Sequence, residues 1–194
     1  MSYHVYNTNG FILRSAKLGE ANKLVFIFTD ELGMISAHAQ SARKINSKLR
    51  YSLRDYSYSR FSLIRGKTSW RLTDAEEIIS FSPLKSQGKT KIFAGILLLV
   101  GRFIHGEEEN SELYRELKKL TVFLNEEKFT TLELQQFETL AAFKILSALG
   151  YIGENPSLSV FTHAEISKEM MTQFVPHRRE ALKEINRALE ESQL

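Results

Sequence analysis

The fold of this chain is decided by two neighbouring stretches, Lys23-Leu24-Val25-Phe26-Ile27-Phe28-Thr29 and Met34-Ile35-Ser36-Ala37-His38-Ala39. Both are short and rich in β-branched, aromatic and other apolar residues, and a turn with Gly33 separates them. This pattern is typical of paired β-strands. We therefore expect the first part of the chain to be a sheet.

Three further runs of the same kind complete the predicted sheet. They are Gly10 to Arg14, Tyr56 to Arg65, and Thr68 to Leu72, with a tight turn at Gly66-Lys67 between the last two. Five short strands with one long connection, here Gln40 to Asp55, predict a small barrel such as the OB-fold. Strand spacing alone leaves another small barrel open.

The apolar period becomes helical from Ser82-Pro83, where Ser82 is a suitable N-cap and Pro83 a suitable first helical residue. We place the domain boundary there, with a barrel in residues 1–80 and a helical domain in residues 81–194. Thr130 with Glu133 predicts a capping box, Gly150 a left-handed C-cap, and Thr162 with Glu165 the start of a short helix before Phe174. The predicted longer helices are Leu84 to His105, Ser111 to Asn125, Thr131 to Leu149 and Pro176 to Glu191. The fold class is α+β.

The charges are unevenly distributed, although the net charge is only +3. From Arg43 to Arg71 there are nine Lys and Arg residues against one acid, Asp55, so nine minus one gives a local charge of +8. Acidic runs such as Glu107-Glu108-Glu109 occur in the second half. This charge distribution favours a barrel that binds a polyanion, joined to a second part with a different function.

Several classes of protein are disfavoured. There is no cysteine, so we expect no disulfide and no thiolate metal site. The longest apolar run, Ile92 to Val100, is too short to cross a bilayer. No opening stretch looks like a secretory leader. We expect a cytoplasmic, nucleoid-associated protein without membrane contact, cofactor or metal.

The residues that favour DNA binding are cations and aromatic rings on one barrel surface. Strand alternation puts Tyr56, Tyr58 and Arg60 on one side, with Phe61 and Leu63 in the core. Tyrosines on such a face stack on bases while arginines contact phosphates, as in sequence-tolerant single-strand binders. Trp70 is predicted to be core. The predicted DNA-binding residues are Arg14, Lys23, Arg43, Lys44, Lys48, Arg50, Tyr56, Tyr58, Arg60, Arg65, Lys67 and Arg71.

Catalysis has little support in the sequence. The five histidines lack the i, i+4 spacing of metal ligands on a helix, and no phosphate-binding glycine loop is found. Asp74, Glu76 and Glu77 leave a metal-dependent nuclease open as an alternative. A second alternative is a non-catalytic subunit whose basic barrel docks an acidic protein partner.

The first eighty residues resemble the N-terminal domain of the RecO family. The resemblance lies in Gly10 to Arg14, Leu18 to Thr29, Glu31 to Ser36 and Ser41 to Lys44, and it continues through Leu63 to Gly66 and Trp70 to Glu76. Phe137-Glu138 and Ala148 to Tyr151 extend it loosely into the helices. The resemblance implies an OB-fold followed by a helical domain. It also places the family's basic loop at Arg43 and Lys44, and its hairpin cations at Arg65 and Arg71.

What the resemblance implies for function is a recombination mediator without a catalytic centre. Such proteins bind single- and double-stranded DNA, anneal complementary strands, associate with RecR, and engage the single-stranded DNA-binding protein SSB so that RecA is loaded. Many members have a four-cysteine zinc module, which a chain without cysteine cannot build. The implied groove for the acidic SSB C-terminal tail is predicted at Arg102, Phe103, Lys118 and Lys119.

Overall fold

The computed structural model describes residues 4–82, 84 and 86–192. Its first part is a closed five-stranded barrel in which neighbouring strands follow the order β1-β2-β3-β5-β4. Only the β3–β5 pair is parallel; the other pairs are antiparallel. The strands are β1 (Val5–Leu18), β2 (Asn22–Thr29), β3 (Met34–Ala39), β4 (Ser57–Arg65) and β5 (Trp70–Ser80).

The barrel interior is filled by side chains that alternate along the strands, as the period of two requires. Apolar residues from all five strands form one cluster, which includes Ile12, Ile27, Ile35, Phe61 and Leu72. Trp70 belongs to this cluster with 4% of its surface exposed, so the prediction that it is core is confirmed.

Two strands are longer than the sequence pattern predicts. β1 extends beyond the predicted Gly10 to Arg14 at both ends, and β5 begins at Trp70 but continues past Leu72 to Ser80. Irregular registers at Ile12/Arg14 and at Ser62/Leu63 shift the alternation along these strands. Such bulges break a strict period of two, which explains why the pattern reveals only part of each strand.

The long connection between β3 and β4 contains a short helix, α1 (Leu49–Ser52). A closed five-stranded barrel with this strand order is an OB-fold, so the predicted fold class, an OB-fold followed by helices, is confirmed. At the β2–β3 turn Gly33 has a φ of 63°. A Cβ atom there would lie 2.7 Å from the backbone N of Glu108, so only glycine fits.

The rest of the chain is helical. Thr130 accepts a hydrogen bond from the backbone N of Glu133, whose side chain accepts one from the backbone N of Thr130, so the predicted capping box is confirmed. Gly150 has the predicted left-handed φ of 78°. The helices are α2 (Gln87–Phe103), α3 (Ser111–Glu126), α4 (Thr131–Ala148), α5 (Ser159–His163), α6 (Lys168–Phe174) and α7 (Arg178–Glu191), with a 3-10 turn at Val175–His177.

Some predicted helix ends are wrong. α2 begins at Gln87 and not at Leu84, and the predicted first helical residue, Pro83, lies outside the described residues. Thr162 does not cap a helix, because it lies inside α5 and its hydroxyl donates to the carbonyl of Ser159. The cap before Phe174 is Ser167, whose side chain accepts from the backbone N of Met170.

The described chain separates into two compact units. The barrel unit consists of residues up to Phe81 together with Ile104–Ser111, and the helical unit of Ser82–Phe103 and residues from Glu112 onward. The segment 104–111 therefore belongs with the barrel, although it follows α2 in sequence. The backbone N of Met34 donates to the carbonyl of Gly106 across 3.0 Å. No helix within the described ranges combines the length and the apolar character needed to span a bilayer.

A buried lysine organises the helical unit. Lys144 on α4 is 1% exposed, and its Nζ donates to the carbonyls of Phe161, Thr162 and Ala164 at 2.9 to 3.2 Å. The same Nζ lies 3.1 Å from the Glu116 carboxylate. Burial lowers the pKa of Lys144, and Glu116 opposes that shift. The ammonium group thereby closes the C-terminal end of α5.

Candidate nucleic-acid interface

The β3–β4 connection is held against the barrel at both ends. At its start, Arg43 Nη1 donates to the carbonyl of Gly19 across 2.8 Å, and the backbone N of Arg43 donates to Ala21. At its end, Lys23 Nζ donates to the carbonyl of Leu53 across 2.9 Å. Leu53 itself is buried in the barrel core. The residues between these anchors are therefore presented in a defined place.

The connection displays a group of exposed cations that we call the loop cations: Lys44, Lys48 and Arg50 between the anchors, and Arg54 directly after the second anchor. The single nearby acid in sequence, Asp55, accepts a hydrogen bond from the hydroxyl of Ser15 at 2.6 Å. Over the described ranges, none of the loop cations forms an ion pair. Unneutralised cations this close together attract a polyanion.

Three further predicted DNA-binding cations, Arg14, Lys67 and Arg71, are exposed elsewhere on the barrel unit. The guanidinium of Arg14 stacks over the ring of Phe26, 3.8 Å from its centroid. Arg71 on β5 is exposed and registers with the exposed His38 on β3. Lys67 is exposed in the β4–β5 turn. The outer face of strands β2 and β3 is the surface with which OB-folds commonly bind oligonucleotides.

The predicted tyrosine platform is wrong. Tyr58 and Arg60 do point outward together, but Tyr58 is only 4% exposed and its ring packs on Phe11, with centroids 4.7 Å apart. Tyr56 precedes β4 with a φ of 60°, and its backbone N donates to the carbonyl of Ile12. Alternation identifies the outward side of a strand, but not what covers that side. Tyr58 therefore cannot offer a free face to a base.

The exposed ring of this region is Tyr51, which the strand pattern did not single out. It belongs to α1 and is 64% exposed, and the guanidinium of Arg50 lies 5.9 Å from its ring centroid. Ile45, in the same connection, is 85% exposed. No local sequence signal separates these two from Leu49, an apolar residue of the same connection that packs against the barrel core.

Three predicted DNA-binding cations are engaged within the barrel unit. Lys23 is partly buried and bonded to Leu53, as described above. Arg60 is exposed but lies 3.5 Å from Glu76, an exposed pair that contributes little to stability. Arg65 pairs with Glu107 and stacks over Trp70, whose indole N–H also donates to Glu107. Lys23 and Arg65, both predicted to bind DNA, therefore already have partners within the barrel unit, although Arg65 remains exposed.

Asp74, Glu76 and Glu77, on which the alternative of a metal-dependent nuclease rested, have separate hydrogen-bond partners. Asp74 accepts from the backbone N of Ala75, Glu76 pairs with Arg60, and Glu77 accepts from Ser80. Among the described residues, no three carboxylate or imidazole groups are placed to share a metal ion.

In the helical unit, the four residues predicted to bind the SSB tail do not all line one groove. Lys118 and Lys119 line a groove of about 350 Å³ beside α3, whose apolar wall includes Val122, Phe123 and Ile166. Phe103 on α2 instead packs edge-on against Tyr151, with ring centroids 4.6 Å apart. Arg102 and Phe103 are not among the lining residues of this groove. Two carboxylates also line it, Glu126 and Glu165.

The barrel, its strand order and its basic connection define the class, an OB-fold protein with an attached helical unit. Residues 1–81 match the family described as Recombination protein O N terminal. The chain is 31% identical to the DNA repair protein RecO of Alkaliphilus metalliredigens over 153 residues, which cover 78% of this chain and 60% of that protein. The N-terminal family model and the curated relatives together support the RecO family for this chain.

Other curated relatives have the same name. The DNA repair protein RecO of Clostridium novyi is 29% identical over 150 residues, covering 76% of this chain and 57% of that protein. The DNA repair protein RecO of Gloeothece citriformis is 32% identical over 146 residues, which cover 75% of this chain and 51% of that protein. The chain thus spans between about half and three fifths of the length of these relatives.

Proposed function

We propose that this chain is a DNA repair protein that binds single- and double-stranded DNA through the β3–β4 connection and the neighbouring outer face of the barrel. The observation that carries the proposal is the group of four exposed loop cations, none in an ion pair within the described residues, on a connection that is anchored at Arg43 and Leu53. The names of the curated relatives, all DNA repair proteins, support it. Phosphate contacts of this kind are independent of base sequence, as a repair protein requires.

We further propose that the chain acts as a non-catalytic recombination mediator. In this role it anneals complementary strands and, together with RecR, assists the loading of RecA onto DNA coated by SSB. The groove that contains Lys118 and Lys119 offers two ammonium groups beside an apolar wall of Val122 and Phe123, which suits an acidic peptide with an apolar end. Because Glu126 and Glu165 also line this groove, we place the acidic residues of the peptide beside the two lysines. We assign the SSB tail to that groove.

The DNA-binding test uses Lys44→Gln with Lys48→Gln, because both side chains are exposed. Arg43 is unsuitable, since its side chain also anchors the connection to Gly19. Each lost phosphate contact should weaken single-strand binding about fivefold at 0.1 M salt, so the double variant should bind about 25-fold more weakly. The matched control is Lys91→Gln with Lys183→Gln, two exposed lysines of the helical unit with the same change in charge.

Fluorescence anisotropy with a labelled oligonucleotide measures both affinities. Equal affinity of the two double variants would refute the proposed surface. If neither variant nor the unaltered chain bound DNA, and an acidic protein were retained in a nuclease-treated pull-down, the barrel would be a protein-docking subunit instead.

The mediator role is tested by annealing complementary oligonucleotides coated with SSB. The unaltered chain should accelerate annealing, and Lys118→Glu with Lys119→Glu should remove the acceleration on coated strands while leaving it on bare strands. Loss on both kinds of strand would show that these lysines contact DNA and not the SSB tail.

A further inference from the structure

The tip of the β3–β4 connection, residues 44–51, presents two apolar side chains among its cations. Ile45 is 85% exposed and Tyr51 is 64% exposed. Leu49, in the same segment, packs instead against the barrel core. The connection thus partly buries one of its apolar side chains, Leu49, and leaves Ile45 and Tyr51 exposed to solvent. Both side chains lie within a few residues of Lys44, Lys48 and Arg50 in sequence, in the connection that we propose to bind DNA.

The tip is a succession of turns with a fixed course. The backbone N of Lys44 donates to Ser41, that of Ser47 to Lys44, and that of Arg50 to Ser47, at 3.1 to 3.2 Å. The backbone N of Leu53 then donates to Leu49 within α1. Ile45 and Tyr51 are consequently displayed by ordered backbone, and ligand binding need not first order a free coil.

The pairing of ring and cation indicates the ligand chemistry. The Arg50 guanidinium lies 5.9 Å from the Tyr51 ring centroid, so a base stacked on the ring would have its phosphate near a positive charge. In a duplex the flat faces of the bases are covered by their neighbours, and proteins contact base edges and phosphates. In a single strand the faces are accessible to aromatic side chains.

We infer that Tyr51 stacks on an unpaired base and that Ile45 packs against an adjacent base, so that this tip makes the barrel prefer single-stranded over double-stranded DNA. The inference rests on the proposed DNA-binding function and adds the residues that discriminate between the two forms. The loop cations contact phosphates in both forms, because every strand carries them. Discrimination then comes from the two uncharged side chains.

The test compares Tyr51→Ala, Tyr51→Phe and Ile45→Ser on an oligonucleotide and on a duplex of the same length. Tyr51→Ala should lower single-strand affinity by about 5- to 150-fold, the range expected for one stacked base, and leave duplex affinity within twofold. Tyr51→Phe keeps the ring and should retain single-strand affinity. Because Ile45 is so exposed, Ile45→Ser gives a second readout that does not depend on α1.

A stacking signal separates contact from general weakening. An oligonucleotide that contains 2-aminopurine should lose fluorescence on binding to the unaltered chain and to Tyr51→Phe, but much less on binding to Tyr51→Ala. Unchanged salt dependence in Tyr51→Ala is also expected, since no charge is removed.

The outcomes distinguish this inference from the proposal on which it rests. If Lys44→Gln with Lys48→Gln leaves DNA affinity unchanged, the proposed function fails. If that variant weakens binding but Tyr51→Ala and Ile45→Ser leave the ratio of single-strand to duplex affinity unchanged, only the present inference is overturned. It is also overturned if the tip variants release an acidic protein partner without changing DNA affinity.

Discussion

Replacing Lys144 by Met should destabilise the helical unit strongly. Methionine keeps the length of the buried stem but removes the ammonium that donates to three carbonyls and faces Glu116. Removing one partner of a buried pair costs about 3 to 5 kcal/mol of unfolding free energy. For a chain of this size, that corresponds to a fall of about 6 to 20 °C in Tm.

Urea unfolding followed by circular dichroism at 222 nm measures this loss, because that signal reports the helices. The matched control is Lys183→Met, an exposed lysine on α7, for which we expect a change within about 0.5 kcal/mol. Adding Glu116→Gln to Lys144→Met removes the carboxylate that has lost its partner, and should recover part of the lost free energy of unfolding. A Lys144→Met variant within about 1 kcal/mol of the unaltered chain would refute the structural role of this ammonium.

Three further predictions concern the fold. Hydrogen bonds from Lys168 and from Thr130 lower the pKa of Glu133 to about 2. The ionised carboxylate therefore stabilises the fold above its ordinary pKa of about 4.5, and this stabilisation is lost as the pH falls toward 2. In Glu133→Gln, the free energy of unfolding should depend less on pH between about 4.5 and 2. Gly33→Ala should cost about 2 kcal/mol or more, measured by urea unfolding, because it combines a positive φ with a collision against Glu108; Gly19→Ala, with the same sign of φ in open space, is its control. Glu107→Gln should shift the fluorescence of Trp70, because the Glu107 carboxylate accepts the indole N–H; an unchanged spectrum would count against that contact.

Local pattern predicts much of this fold, because alternation and capping are properties of neighbouring residues. The five strands, the core position of Trp70 and the Thr130 capping box all follow from such short-range rules. The ends of β1 and β5 do not, since bulges change the period within a strand. α2 begins later than the Ser82-Pro83 signal indicates.

The candidate site was less accessible to sequence reasoning, for two physical reasons. Glu107 neutralises Arg65 from 42 residues away, and no local pattern reports a contact of that range. Tyr58 points outward as predicted but is buried against Phe11, because the outer face of a barrel is also used for packing. Charge density singles out the β3–β4 connection because its cations are close together in sequence, and in the structure Lys44, Lys48, Arg50 and Arg54 are exposed. Its role in DNA binding stays a prediction.

If the loop cations bind DNA phosphates, removing them must weaken the salt dependence of DNA binding. The measurement is the slope of log affinity against log salt concentration for single-stranded DNA, for the unaltered chain and for Lys44→Gln, Lys48→Gln, Arg50→Gln and Arg54→Gln combined. Four lost phosphate contacts predict a slope shallower by about 3. An identical slope in the two proteins would contradict the account.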